Sequence, residues 1–227
     1  MSAVTESRIA VLEWIARLGP VSAEALSVRH GATLASSRAR LGAAVRAGQL
    51  SRSAPLRGVP ASYDLTRAGM RASGARGGVP PRVGPAAAAH VHACALVAVH
   101  LELRYGQVVV GERALRARGR HAAAGLSCSL GGVSAAGMPS VHSADLVVER
   151  RRGSDAAPVA VEVELTVKAP DRLLRICRAW ARCRSVGGVL YVASPAAERA
   201  VLGAIAAAGA GDRIVVIPLA TLLASRG

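Results

Sequence analysis

The sequence predicts an α/β fold, α+β over its whole length, in two parts joined by a linker. Three observations predict it. Residues 5–66 read as three short helices followed by two short strands. Residues 144–217 alternate strands with helices, and the closing strand–helix–strand run implies parallel pairing in one sheet. Between the parts, residues 74–85 (GARGGVPPRVGP) concentrate Gly and Pro as linkers do.

In the first part, Ile9, Leu12, Ile15 and Leu18 recur at helical spacing over 5–18, with Thr5 as N-cap and Gly19-Pro20 as the stop. Ser22 caps a second short helix, Ala23–Arg29, ending at His30-Gly31. A third runs from Thr33 to Ala47, before Gly48. Two alternating stretches, Gln49–Ser53 and Ser62–Thr66, flank a loop with Pro55, Gly58 and Pro60, which reads as a β-hairpin with a long tip. Thr66 caps a last helical segment, Arg67–Ser73. This order is that of a winged helix-turn-helix, expected over residues 1–73.

In the second part, expected over 86–227, Ala86–Leu103 reads as a long helix, Gln107–Val110 as a strand and Arg113–Arg118 as a helical segment. Residues 119–141 are rich in Gly, Ser and Ala and show no readable period. Ala144–Glu149 and Val159–Thr166 are strands joined by the polar turn RRRGSDAAP. Pro170–Arg184 is helix, Gly188–Ala193 strand, Pro195–Ala208 helix and Ile214–Ile217 strand. No internal repeat is present.

Composition bounds the function. The 227 residues are 52% hydrophobic, enough for buried cores, yet only 2% aromatic and without Phe, so the cores are Val, Leu, Ile and Ala. Net charge is +15, and both parts are basic: residues 1–85 hold twelve Arg against four acids. Such a balance suits a polyanion, because each phosphate contact releases counterions. Codon usage favouring Arg and Ala would give the same bias. Four cysteines without C-x-x-C spacing read as reduced thiols. Glu6, Arg8 and Glu13 interrupt the first apolar stretch, against a signal peptide, and the uncharged run His121–Val141 is broken by Gly, Ser and Pro. A cytoplasmic protein with no membrane partner is expected.

A DNA-reading helix needs one face in the core and the other in the major groove. On the third helix, Leu34, Leu41 and Val45 fall in one arc. Ser36, Arg40 and Ala43 fall opposite, with Thr33 and Ser37 on a flank. Small side chains permit close approach, and Arg pairs with guanine. Arg38 lies on the same helix, and Arg52 and Arg57 on the wing can clamp phosphates. The expected partner is double-stranded DNA. Solvation of these arginines, or a winged helix serving as a protein-protein module, are the alternatives.

The segment VAVEVELT (159–166) puts Glu162, Glu164 and Thr166 on one side of a strand and Val161, Val163 and Leu165 on the other. Two carboxylates together on so apolar a strand resist burial, and a bound cation would explain them. Asp145 on the preceding strand comes beside them if the two strands form a hairpin. Such carboxylates, with water and phosphate oxygens, suit magnesium or manganese. Lys168 is the single lysine among 29 basic residues and follows this cluster; a compact charge with a tunable pKa is what Arg cannot supply. The other account of these residues is a salt-bridged network of Glu162, Glu164, Lys168 and nearby arginines.

Asp145 followed by Glu162-x-Glu164 resembles the PD-(D/E)xK nuclease signature, with Glu164 where the lysine usually stands and Lys168 four residues on. The resemblance implies a mixed-sheet PD-(D/E)xK-like α/β domain with Asp145, Glu162 and Glu164 as metal ligands. It makes these three and Lys168 the catalytic set of a candidate metal-dependent endodeoxyribonuclease. The winged helix, the helix HVHACALVAVHLEL, the D-L-V-V strand and V-E-V-E-L-T-x-K together resemble the replication-relaxation proteins of bacterial plasmids and integrative elements. That implies a DNA-linked role in plasmid replication, relaxation or transfer. The alternative is a non-catalytic winged-helix transcriptional regulator whose C-terminal domain mediates oligomerisation or partner binding; a homodimer is left open.

Among weaker features, His90, His92 and His100 share a helix with Cys94 but lack the convergence zinc requires. His142 lies close to Asp145 and could join its site. Arg172, Arg175, Arg178 and Arg182 form a basic stripe opposite Leu173, Cys177 and Trp180, and the run Arg150–Arg152 sits in a turn.

Overall fold

The computed structural model describes residues 7–75, 82–117, 126–133, 137, 139–149, 153 and 155–224. Thr5, the middle of the expected linker and Arg150–Arg152 lie outside them. The chain divides into two compact units at Tyr105/Gly106.

Helix boundaries in the first unit follow side-chain caps. Ser7 accepts from the Ala10 amide to start α1 (Arg8–Leu18), and Ser22 from Ala25 to start α2 (Ala23–His30). Thr33 accepts from Ser36 to start α3 (Leu34–Arg46), and Thr66 from Gly69 to start α4 (Arg67–Ala72). Gly31 ends α2 in the left-handed region at φ 59°, where a Cβ would be strained. Strands β1 (Val21–Ser22), β2 (Leu50–Ser53) and β3 (Ser62–Leu65) pair antiparallel in the order β1-β3-β2. Leu12, Trp14, Ile15, Val21, Leu26, Leu41 and Leu65 are almost wholly buried in this unit. The expected three helices and long-tipped hairpin stand in that order.

The boundary between the parts differs from expectation. Helix α5 (Pro85–Tyr105) groups with the first unit and packs on α2 and β1. Glu102 explains its attachment: it takes Arg17 at 2.7 Å on one oxygen and Arg29 at 2.5 Å on the other, while Arg29 also lies 4.9 Å over the Trp14 ring. His92 Nδ1 meets Ser22 Oγ at 3.1 Å. Among the described residues α5 is also the one helix long and apolar enough to cross a membrane, a test that core helices pass too.

The second unit is built on a five-stranded mixed sheet in the order β10-β9-β8-β7-β4. Its strands are β4 (Val109–Gly111), β7 (Leu146–Val148), β8 (Val159–Glu164), β9 (Gly188–Ala193) and β10 (Ile214–Pro218). The neighbours β4, β7 and β8 run antiparallel, whereas β8, β9 and β10 run parallel. The intervening helices are α6 (Glu112–Ala117), α7 (Pro170–Arg182) and α8 (Pro195–Ala208), with α9 (Leu219–Ala224) at the end. Helices α7 and α8 pack on each other and bury Leu173, Ile176, Trp180, Val201 and Ile205 with Ala160, Val189 and Tyr191 of the sheet.

Within the unassigned 119–141 stretch the structure forms β5 (Ser127–Val133), paired with β6 (Pro139–Ser143), and this hairpin packs on α7. Its period was unreadable because, among the described residues, only Cys128 anchors it deeply, at 1% exposure, amid Gly and Ser.

Two glycines test the first unit in opposite directions. A Cβ on Gly69 would sit 2.0 Å from the Gln49 carbonyl oxygen, the same oxygen that Thr66 bonds. G69A should destabilise the protein by about 3 kcal/mol through forced backbone displacement. A Cβ on Gly42, inside α3, meets only the Arg46 guanidinium at 3.5 Å, so G42A should stabilise by about 1 kcal/mol. Urea unfolding of both variants checks the pair.

Candidate functional site

Each unit carries one candidate surface or cluster. In the first unit, α3 contains no acid, and Ala35, Ser36, Arg38, Ala39, Ala43 and Arg46 are exposed on it. Thr33 stands at its exposed N-terminus. Arg40 is half-buried and donates to His30 Nδ1 at 3.0 Å, which fixes that nitrogen as the acceptor. Arg38 approaches Glu24 at 3.4 Å with most of its side chain in water, a weak pair. Arg52 on β2 and Arg57 in the hairpin tip are exposed.

Ser37 is a correction. It is 2% exposed and its Oγ has no hydrogen-bond partner, so it faces the core and is unavailable to DNA. The buried stripe of α3 is Ser37, Leu41 and Ala44, an i, i+4, i+7 row, while Leu34 and Val45 are only half-buried. A serine on this row was invisible to a hydrophobic pattern.

In the second unit, β7 and β8 pair antiparallel as far as Leu146↔Val161, and Asp145, just before β7, reaches β8 with its side chain. Glu162 and Glu164 are 1% and 4% exposed on the sheet face that α7 covers. Glu162 Oε1 accepts from Trp180 Nε1 at 3.0 Å and pairs with His142 Nε2 at 2.8 Å. The His142 ring meets Trp180 edge-on with centroids 6.2 Å apart. Asp145 Oδ2 accepts from the Val163 amide at 2.8 Å. Glu164 is held by Lys168 in an i, i+4 ion pair. Thr166 lies exposed beyond the strand.

Four residues here were not singled out from sequence as partners of the acids. Trp180 read as apolar lining of α7, yet its indole N–H is the donor that makes burial of Glu162 tolerable. Tyr191, across from Glu162 on β9, is fully buried, with the Cys177 thiol beside its hydroxyl. Burial pushes its phenol well above the usual range, and the Glu162 charge adds to this. Burial raises the Cys128 thiol to about 12, the Glu162 charge contributing, and the Cys177 thiol to about 11, so both stay protonated. On α5, His90 Nε2 and Cys94 Sγ meet at 3.4 Å within their own helix.

The magnesium expectation can be tested on the donors. Among the described residues, Asp145, Glu162 and Glu164 are not a set whose ligand oxygens all lie within 4.8 Å of one another. One oxygen of Glu162 is already occupied by two N–H partners, Asp145 by a backbone amide and Glu164 by the lysine. The arrangement is that of a buried hydrogen-bonded network in which each acid has a partner on one of its oxygens.

No family model, no curated protein and no solved structure matches the chain.

Burial by itself would lower the His142 imidazole, but the hydrogen bond and charge of Glu162 outweigh it, against Lys168 and with Asp145, and hold it above its ordinary value. Burial raises Glu162 more than its bond to His142 lowers it, and Asp145 adds to the rise. Both groups keep their protons to higher pH when folded than when unfolded. A raised folded pKa contributes stability that is present below the unfolded value and lost as pH rises through the folded one. The thermal midpoint should therefore fall as pH rises from about 6 to about 8, and H142Q should flatten that dependence. W180F, which deletes one donor to Glu162, should cost about 2 kcal/mol in urea unfolding at neutral pH.

Proposed function

We propose that this chain is a DNA-binding protein of a plasmid or mobile element, acting in replication, relaxation or transfer. Its first unit is a winged helix-turn-helix that reads duplex DNA, and its second is a PD-(D/E)xK-like domain that does not cut. The observation that carries the DNA reading is the outward face of α3. It is acid-free, built of small exposed side chains with arginines at its flanks, and followed by a hairpin with Arg52 and Arg57 exposed. The order β4-β7-β8-β9, with α7 between β8 and β9, supports the nuclease-like assignment. The plasmid context rests on the resemblance of the motifs around Asp145 and Glu162–Lys168.

The reading helix acts through shape and charge. Ser36, Ala39 and Ala43 let the helix axis approach base edges, and Thr33 stands at its N-terminus, where the dipole favours a phosphate. Arg40 flanks this face, and the wing arginines fix register on the backbone without reading sequence. In the second unit the acids serve the fold: Trp180, His142 and Lys168 neutralise or solvate them.

A second reading, a metal-dependent endodeoxyribonuclease, draws on the alignment of Asp145 with Glu162. Incubating plasmid DNA with the protein and Mg²⁺ or Mn²⁺, beside E162A, separates the two. Binding without nicking, and a thermal midpoint unmoved by millimolar Mg²⁺, are expected. Nicking that E162A abolishes would overturn the non-cutting assignment.

For DNA binding itself, R40A should weaken affinity for a duplex selected from a random pool by about 10-fold, in line with loss of a specific arginine contact. R52Q/R57Q should reduce the slope of log affinity against log salt by about 1 to 2. Fluorescence anisotropy across a salt series measures both; a wild-type protein that binds no duplex at low salt would sink the assignment.

A further inference from the structure

The α7 helix has an outer face that the proposed function leaves unused. Arg172, Arg175, Arg178 and Arg182 are all exposed on it, and Arg184 follows just past its end. At 100° per residue the four helical arginines fall within about 120° of arc and span about 15 Å along the axis. That is the axial length of about four base-pair steps. Asp171 is the only acid in Pro170–Arg182. None of the five arginines has an ion-pair partner among the described residues, in contrast to Arg17, Arg29 and Arg116, which do.

A merely solvated helix face is expected to intersperse both signs, because i, i+4 pairs stabilise it and like charges at that spacing cost free energy. Arg178 and Arg182 are such a like-charged pair, and this face accepts the cost. Its inner side is fixed: Leu173, Ile176, Cys177 and Trp180 are buried, and Trp180 is tied to Glu162. The guanidinium row is therefore presented on a rigid element, as bidentate phosphate recognition needs. No Asn, Gln, Ser or Thr lies among the arginines to read base edges, so such a contact carries no sequence information.

We infer that the outer face of α7 is a second, sequence-independent binding surface for the phosphate backbone of duplex DNA. The choice of DNA as the polyanion rests on the reading proposed for the first unit. The buried acids lie on the opposite side of α7 from this row, so the surface is one of retention and not of cleavage.

The test uses the full chain. Anisotropy with a random-sequence duplex is measured across a salt series for wild type, R175Q/R178Q/R182Q and the separate variant R172Q/R175Q, each checked for an unchanged thermal midpoint. The triple variant should lower the slope of log affinity against log salt by about 2 to 3, and the double variant by about 1 to 2. Neither should change the preference for a selected site over random duplex. Wild-type binding with slopes unchanged in both variants overturns the α7 surface and leaves the first-unit reading standing. Absence of any wild-type DNA binding overturns both. Slopes on DNA that do not move, together with weakened binding of the variants to phosphatidylserine vesicles, would assign the face to an acidic membrane instead and overturn the proposal.

Discussion

The second unit depends on one constraint, the burial of the Glu162 carboxylate in the middle of a sheet. An ionisable group at 1% exposure is tolerated only where hydrogen-bond donors meet it. Here they come from different elements: Trp180 from α7 and His142 from β6. The requirement thus dictates how α7 docks on β8 and why a Gly/Ser-rich hairpin is held against that helix. Asp145, just before β7, is itself committed to the Val163 amide next to Glu162. A network of this kind is costly to leave half-satisfied, and removing one member exposes the cost borne by the rest.

The same constraint shapes the chemistry available. The carboxylate is held by neutral and cationic N–H donors, so its protonation is linked to that of His142 and to stability. Its position under α7 separates an inner, acid-holding side of that helix from an outer, arginine-bearing one. In the first unit the corresponding anchor is Glu102, which joins α5 to α1 and α2 through Arg17 and Arg29. One buried or half-buried acid in each unit organises several basic or donor side chains around it, while Arg172, Arg175, Arg178 and Arg182 stand exposed.

The helices and most strands were legible because their signals are local. Ser22, Thr33 and Thr66 sit where caps are expected, and Gly31 and Gly209 close helices in the left-handed conformation. The alternation of VAVEVE fixed which side chains share a face, and the antiparallel pairing of β7 with β8 followed the expected hairpin. Three features escaped. The β5–β6 hairpin lacks an apolar period, the burial of Ser37 contradicts its polarity, and the donor role of Trp180 is hidden in an apolar helix face. The unit boundary also escaped, because Gly and Pro mark flexible backbone, whereas the grouping of α5 follows from ion pairs to residues more than seventy positions away.

By itself the sequence determined the element order, the caps, the strand faces and the strongly basic charge. Each of these is set by side-chain chemistry and period within a few residues. Only the tertiary structure decided which acids are sequestered and which arginines stay free, because those outcomes depend on donors supplied by distant elements. Asp145, Glu162 and Glu164 take their hydrogen-bond partners from β6, α7, a backbone amide and Lys168 for that reason, and the sequence holds no signal of where those N–H groups will point.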